Sequence, residues 1–255
     1  MIEADNFIIE DYFKRINFEG KSQTTIENIT QIAQNHIFSI PFENLDVQAG
    51  KIVSMIPEEI VDKIVYKNRG GYCYETNGLL ALALQKLGIS CYFTAARPMF
   101  YPEKRPRTHL VIIAEIEGEK YLLDVGFGSH GIRKPINLNK IDEEINQDGF
   151  LYRLQKEGKE YLLQAKVKGE WLNQYAFSEQ EYEFIDFAPA NFMNSKHPDA
   201  IFVKAPLIVL YNPEGKKVLF KNTITYYTSD TITEKTFTDA EYPLILEKEF
   251  GLIEI

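Results

Sequence analysis

Apolar positions in the first third of the chain recur with a helical period. Ile26, Ile29, Ile32 and Ala33 fall on one helix face, and Thr24 with Glu27 has capping-box spacing ahead of them. Pro57 followed by Glu58 and Glu59 suits a second helix start, with Ile60, Val61, Ile64 and Val65 as its buried stripe. A third run, Leu79 to Leu84, follows Gly70-Gly71-Tyr72-Cys73 and ends at Gly88, which predicts a buried helix with Cys73 at its mouth. Between the first two, Ser39-Ile40-Pro41-Phe42-Glu43-Asn44-Leu45 reads as a loop.

From about Ser90 the period shortens. Cys91–Ala95, His109–Ile113 and Tyr121–Val125 are short segments, the latter two rich in apolar and β-branched residues. Glu117-Gly118-Glu119-Lys120 predicts a hairpin turn joining those two. Lys156-Glu157-Gly158-Lys159 and Lys168-Gly169-Glu170 predict further turns. Antiparallel strands at this spacing suggest a barrel or sandwich. The last part mixes strands with a final helix over Tyr242–Phe250, where Thr238 and Glu241 have capping-box spacing and Gly251 follows the end. Helices, then strands, then a mixed segment read as α+β.

Composition and charge narrow the function classes. The 45% hydrophobic and 25% charged fractions are those of an ordinary globular protein. A net charge of −9 argues against nucleic acid as a partner. It does not exclude a phosphorylated co-substrate, for which a few local cations suffice. The opening MIEADNFIIEDYFKRI scatters acidic residues among apolar ones, so no signal peptide is expected. No run approaches the roughly 18 apolar residues of a membrane span, so no membrane is expected as a partner. With only Cys73 and Cys91, free thiols in a reducing cytoplasm are expected, and neither they nor the scattered histidines have zinc-ligand spacing.

Cys73 carries the candidate chemistry. A thiol at a helix N-terminus feels unpaired N–H groups and the positive dipole end, which favour the thiolate nucleophile. It needs a base, and the base needs an orienting partner. Of four histidines, His36 reads as a surface or cap residue, His197 as part of a polar turn, and His130 as a loop residue able to line a cleft. His109 heads an apolar strand, and in a hairpin centred on Gly118 it would sit close to opposite Asp124. An ionised Asp124 in an apolar strand would need a partner. The same residues also read as plain strand-end caps, and a protease, an acyltransferase or a buried thiol all remain open at this point.

Arg69-Gly70-Gly71-Tyr72-Cys73-Tyr74-Glu75-Thr76-Asn77, then Thr108-His109-Leu110, then Leu123-Asp124-Val125-Gly126-Phe127-Gly128 resembles the arylamine N-acetyltransferase family. The resemblance extends to Ile40–Leu45 and, weakly, to Asn191–Phe202. It implies a Cys73–His109–Asp124 triad in a cysteine-protease-like core. It also implies three segments: a helical bundle over 1–88, an antiparallel β-barrel over 89–183 and an α/β lid over 184–255. The implied reaction is ping-pong transfer from acetyl-coenzyme A, through an acetyl-cysteine, to arylamines, hydrazines or N-hydroxyarylamines, with no metal. Phe42 and Phe127 would line the acceptor pocket, Gly126 and Gly128 would approach the pantetheine arm, and Arg69, Glu43 and Asn77 would support the site. Cysteine hydrolases and transglutaminase-like enzymes share the Cys…His…Asp order. Lys217–Tyr227 departs from the family pattern, with Phe220-Lys221-Asn222 where a glycine-containing turn is expected.

Overall fold

The helical periodicities become a bundle that delivers Cys73 to its centre. A computed structural model describes residues 2–253. Its first elements are α1 (Ile9–Arg15), α2 (Ile26–Ser39), β1 (Phe42–Glu43), α3 (Leu45–Gln48), α4 (Pro57–Val61) and α5 (Cys73–Lys86), with a π-helical turn at Asp62–Tyr66. The cap of α2 is Thr25 rather than Thr24: its hydroxyl accepts the Asn28 N–H at 3.4 Å. Helix α5 is buried from Cys73 to Leu84, and the chain leaves it through Gly88 at φ +79°.

The expected loop at Ser39–Leu45 is partly strand. Phe42 and Glu43 form β1, whose backbone pairs with Val209 and Ile208 far along the chain. Local composition cannot reveal such a partner, because the pairing is made entirely through distant backbone.

The strand region forms one eight-stranded antiparallel sheet. In chain order it comprises β2 (Ser90–Pro98), β3 (His109–Ile116), β4 (Glu119–Leu123), β5 (Ile136–Asn137), β6 (Ile145–Gln147), β7 (Phe150–Glu157), β8 (Glu160–Val167) and β9 (Glu170–Ser178). They lie in the order β5-β4-β3-β2-β9-β8-β7-β6. The β3–β4 turn uses Glu117 and Gly118 at φ +54° and +80°, the two left-handed positions that a tight hairpin of this twist requires. Strand β3 is buried on both faces. Leu110, Ile112, Ala114 and Ile116 join the core with the bundle, while Val111 and Ile113 fill the curved sheet's other side. That explains why it reads as a continuous apolar run rather than an alternating one.

After α6 (Ala188–Lys196) and α7 (Ile201–Lys204), strands β10 (Leu207–Asn212), β11 (Gly215–Phe220), β12 (Thr223–Thr228) and β13 (Ile232–Thr236) extend from β1 into a five-stranded sheet. Helix α8 (Tyr242–Phe250) covers this sheet through Leu246 and Phe250, beyond the Thr238–Glu241 capping pair. Asn44 staples β1 to this part of the chain. Its amide donates to the carbonyls of Phe202 at 2.7 Å and Ala205 at 2.9 Å, and its oxygen accepts the Leu207 N–H at 2.8 Å. Among the described residues no helix is long and apolar enough to cross a membrane.

Candidate active site

Cys73 is the first residue of α5 and is only 4% exposed. The approach to it is narrow. A Cβ on Gly70 would lie 2.0 Å from the Pro41 carbonyl oxygen, so only glycine lets the chain pass β1 here. The Glu75 carboxylate turns back to accept the Tyr72 N–H at 3.0 Å, which fixes the first turn.

Charged groups beneath that turn hold it in place. Arg69 donates to Glu43 Oε1 from Nε at 3.0 Å and from Nη2 at 2.7 Å. Lys63 Nζ lies 2.7 Å from Glu75 Oε1 and 2.6 Å from Asp46 Oδ2. Burial disfavours the Lys63 ammonium, but the charges of Glu75, Glu43 and Asp46 outweigh it and raise its pKa. Burial pushes the Glu75 carboxyl up to about 7 against the pull of Lys63. Arg69 and Glu43 thus brace the backbone before Cys73 without facing the thiol's cavity.

His109 opens β3, and its Nε2 stands 2.7 Å from Asp124 Oδ2, with both residues 4% exposed. The β3–β4 register pairs Ile112 with Leu123, so Asp124 lies diagonally from His109 rather than opposite it. Asp124 Oδ1 accepts Asn77 Nδ2 and the Gly126 N–H, each at 3.0 Å. Asn77 also donates to the Leu110 carbonyl at 2.8 Å and accepts the Val125 N–H at 2.9 Å. One amide from α5 therefore sets the positions of β3 and of the turn carrying Asp124.

The electrostatics favour an imidazolium. Burial works against the charged ring. The Asp124 charge and hydrogen bond, with a hydrogen bond and charge from Cys73, outweigh it and raise His109 to about 10. A protonated base beside a deprotonated thiol is the reactive form of a cysteine nucleophile.

Cys73 and His109 face a cavity of about 280 Å³, whose lining includes Phe42, Phe127, Gly126 and Gly128. The Phe127 ring lies 4.9 Å from the His109 ring. The two glycines approach closely: a Cβ on Gly126 would stand 2.7 Å from Cys73 Cα, and one on Gly128 would stand 2.7 Å from the Phe42 ring. Sequence reading missed Phe100, Tyr101 and Arg105 from the loop after β2, and Met193 and Phe202 from the last third, while Val218 and Phe220 belong to the Lys217–Tyr227 segment already noted as departing from the family pattern. The aromatic pair in a long connection was a legible signal, since such loops often carry function. Which side chains of β11 reach the cavity was not legible, because that depends on where the strand docks.

The other candidates lie elsewhere. His36 is fully buried rather than on the surface, and its Nδ1 sits 2.9 Å from the Tyr12 hydroxyl. Burial and Arg15 push it down to about 3, so it is neutral. His130 is likewise pushed down to about 3 by burial and Lys216. Cys91 is buried and free, and burial pushes its thiol up to about 11, which leaves it inert. Among the described residues no group of three or more metal-ligating side chains occurs. A second cavity, of about 690 Å³, is lined by Lys63, Arg69 and Glu75 and reaches neither Cys73 nor His109.

A family model described as N-acetyltransferase matches residues 25–253. The arylamine N-acetyltransferase of Escherichia coli K12 is 31% identical over 250 residues, covering 96% of this chain and 89% of the relative. The solved arylamine N-acetyltransferase of Salmonella typhimurium superposes with a TM-score of 0.92 at 27% identity, covering 98% of this chain and 92% of that one. The Mycobacterium marinum enzyme, solved in complex with CoA, gives 0.91 at 29% identity over 96% and 92% of the two chains.

Proposed function

Because the chain belongs to the arylamine N-acetyltransferase family, we propose that Cys73 carries acetyl from acetyl-coenzyme A to an arylamine, hydrazine or N-hydroxyarylamine. The observation that carries this reading is the His109–Asp124 pair, 2.7 Å apart, meeting the Cys73 thiol at the wall of an aromatic cavity.

Chemistry follows from the charges. The Cys73 thiolate attacks the thioester carbonyl of acetyl-coenzyme A, and the tetrahedral intermediate expels coenzyme A thiolate. His109 gives that leaving group its proton, and acetyl-Cys73 with a neutral imidazole remains. The amine nitrogen then attacks the acetyl carbonyl, His109 takes the proton it loses, and Cys73 leaves as thiolate. The Asp124 carboxylate fixes the ring and balances its charge. Backbone N–H groups at the start of α5, ahead of those of Glu75 and Thr76 that bond the Tyr72 carbonyl, are the candidate donors for the oxyanion. Phe42 and Phe127 offer flat apolar faces suited to an aryl ring. Arg69 and Glu43 act through the backbone they hold, and Asn77 also through its hydrogen bond to the Asp124 carboxylate.

The same proposal keeps the division into segments 1–88, 89–183 and 184–255, supported by the change from bundle to curved sheet to mixed segment. It also places the enzyme in the cytoplasm, supported by two free thiols. The test is intact-protein mass spectrometry after adding acetyl-coenzyme A alone. One acetyl group mapping to Cys73 and discharged by an arylamine is expected. Amine acetylation without a Cys73 adduct in single turnover, or hydrolysis without transfer, would overturn the reading.

A further inference from the structure

Three arginines belong to the connection between β2 and β3 or flank it, and the fold uses two of them. Arg97 donates to the Arg105 carbonyl, while Arg107 donates to the Ala95 carbonyl at 2.9 Å and to the Glu160 carboxylate. The Arg105 side chain is different. Its guanidinium carbon lies 4.8 Å from the centroid of the Tyr101 ring, and its buried Nε has no hydrogen-bond partner among the described residues. A guanidinium presents five donors in a planar fork shaped for carboxylate or phosphate oxygens.

Arg105 lines the cavity that holds Cys73 and His109. Asp199 lines it too, but its carboxylate takes Lys204 Nζ at 3.1 Å. A continuous aromatic wall leads out from the imidazole: His109 to Phe127 at 4.9 Å, Phe127 to Phe100 at 6.0 Å, Phe100 to Tyr101 at 4.4 Å. Arg105 closes that wall. On a chain of net charge −9, a cation placed here attracts an anion where the surface as a whole repels it.

We propose that Arg105 is a specificity-determining residue that receives an anionic group of the bound substrate at the outer end of this wall. The inference rests on the acetyl-transfer reading and names the charge its substrate carries. Two sources supply such an anion: phosphate on the acyl donor, or a carboxylate or sulfonate on the acceptor ring.

The ping-pong halves separate these sources. In the first, Cys73 acetylation is timed with acetyl-coenzyme A and with uncharged p-nitrophenyl acetate. In the second, acetyl-Cys73 is discharged by 4-aminobenzoate and by its uncharged ethyl ester. Arg105→Met is expected to lower the anionic-to-neutral ratio of kcat/KM by about tenfold or more in one half, through KM. Arg105→Lys, which keeps the charge without the fork, is expected to restore part of it. A fall in the first ratio assigns the anion to the donor, and a fall in the second assigns it to the acceptor. If both ratios match wild type, whatever happens to the absolute rates, Arg105 only shapes the loop and the inference is overturned. A wild-type enzyme that forms no acetyl-Cys73 with either donor defeats the acetyl-transfer reading itself.

Discussion

At the scale of single residues, Asp124 and Gly126 bear most directly on the proposed chemistry of Cys73, one through His109 and the other by close backbone approach. The carboxylate is the largest influence raising His109, so Asp124→Asn should return the imidazole toward neutrality at pH 7 and remove the positive charge beside Cys73. Turnover is expected to fall by about 10³- to 10⁴-fold. The pH dependence of Cys73 alkylation by iodoacetamide should move with it, and an unchanged alkylation profile would contradict the assigned role. Because the folded pKa of His109, about 10, lies above its ordinary value of 6.5, its contribution to stability has a definite window. It is complete below pH 6.5 and is lost as pH rises through about 10. Gly126→Ala tests the packing. Its new methyl would meet Cys73 Cα at 2.7 Å and Thr76 Oγ1 at 2.5 Å, both on a buried helix that cannot yield easily. About 1–3 kcal/mol of stability should be lost, and single-turnover acetylation should slow. A variant with wild-type melting and rate would show that the turn relaxes freely.

At the scale of elements, β1 matters out of proportion to its length. It lies beside the backbone of Gly71, contributes Phe42 to the cavity and Glu43 to the Arg69 pair, and starts the five-stranded sheet. Asn44 fixes that junction with three hydrogen bonds to Phe202, Ala205 and Leu207. Asn44→Ala leaves the buried Leu207 N–H without its partner, at a cost of about 2–3 kcal/mol. Phe202, which lines the cavity, should also lose its fixed position. The expected signature in steady-state kinetics is a KM rise larger than the kcat fall, with Cys73 still acetylated. Loss of acetylation at unchanged KM would place the effect in the bundle instead.

At the scale of the whole molecule, the curved sheet and the five-stranded sheet are fastened by side chains buried between them. Arg133, 2% exposed, donates to the carbonyls of Asn212 at 2.7 Å, Gly215 at 3.0 Å and Pro213 at 3.1 Å. Lys216 Nζ reaches back to the Ser129 carbonyl at 2.5 Å, on the turn that follows Gly128. Burial and Arg133 push Lys216 down to about 7, so the folded state disfavours its ammonium. The sign follows from linkage: the penalty is full below pH 7 and disappears as pH rises to the ordinary value of 10.5. Lys216→Met should therefore stabilise the protein at pH 6 relative to wild type, with the gain shrinking above pH 7. Thermal melts across pH 6–10 would show it, and a gain that grows with pH would refute the burial argument.

Short-range order explains how much was legible without coordinates. The Cys73 helix, the Gly118 hairpin and the His109–Asp124 pairing depend on residues close in sequence or joined by one tight turn. Periodicity, turn residues and motif spacing therefore determined the α+β class and singled out Cys73, His109 and Asp124, which the fold brings to one cavity wall. Thr25 displaced Thr24 as a cap, because adjacent threonines offer equivalent oxygens and tertiary packing selects the start. His36 is fully buried instead of on the surface, because Tyr12 on another helix partners its Nδ1 across the bundle. Tertiary structure alone decided that Phe42 lies in a strand, that Arg105, Phe202 and Phe220 line the cavity, and how far His109 is raised. Those properties arise where distant segments exclude water together. Burial, the electric field and cavity shape depend on every chain that closes the space, and no single stretch of sequence contains them.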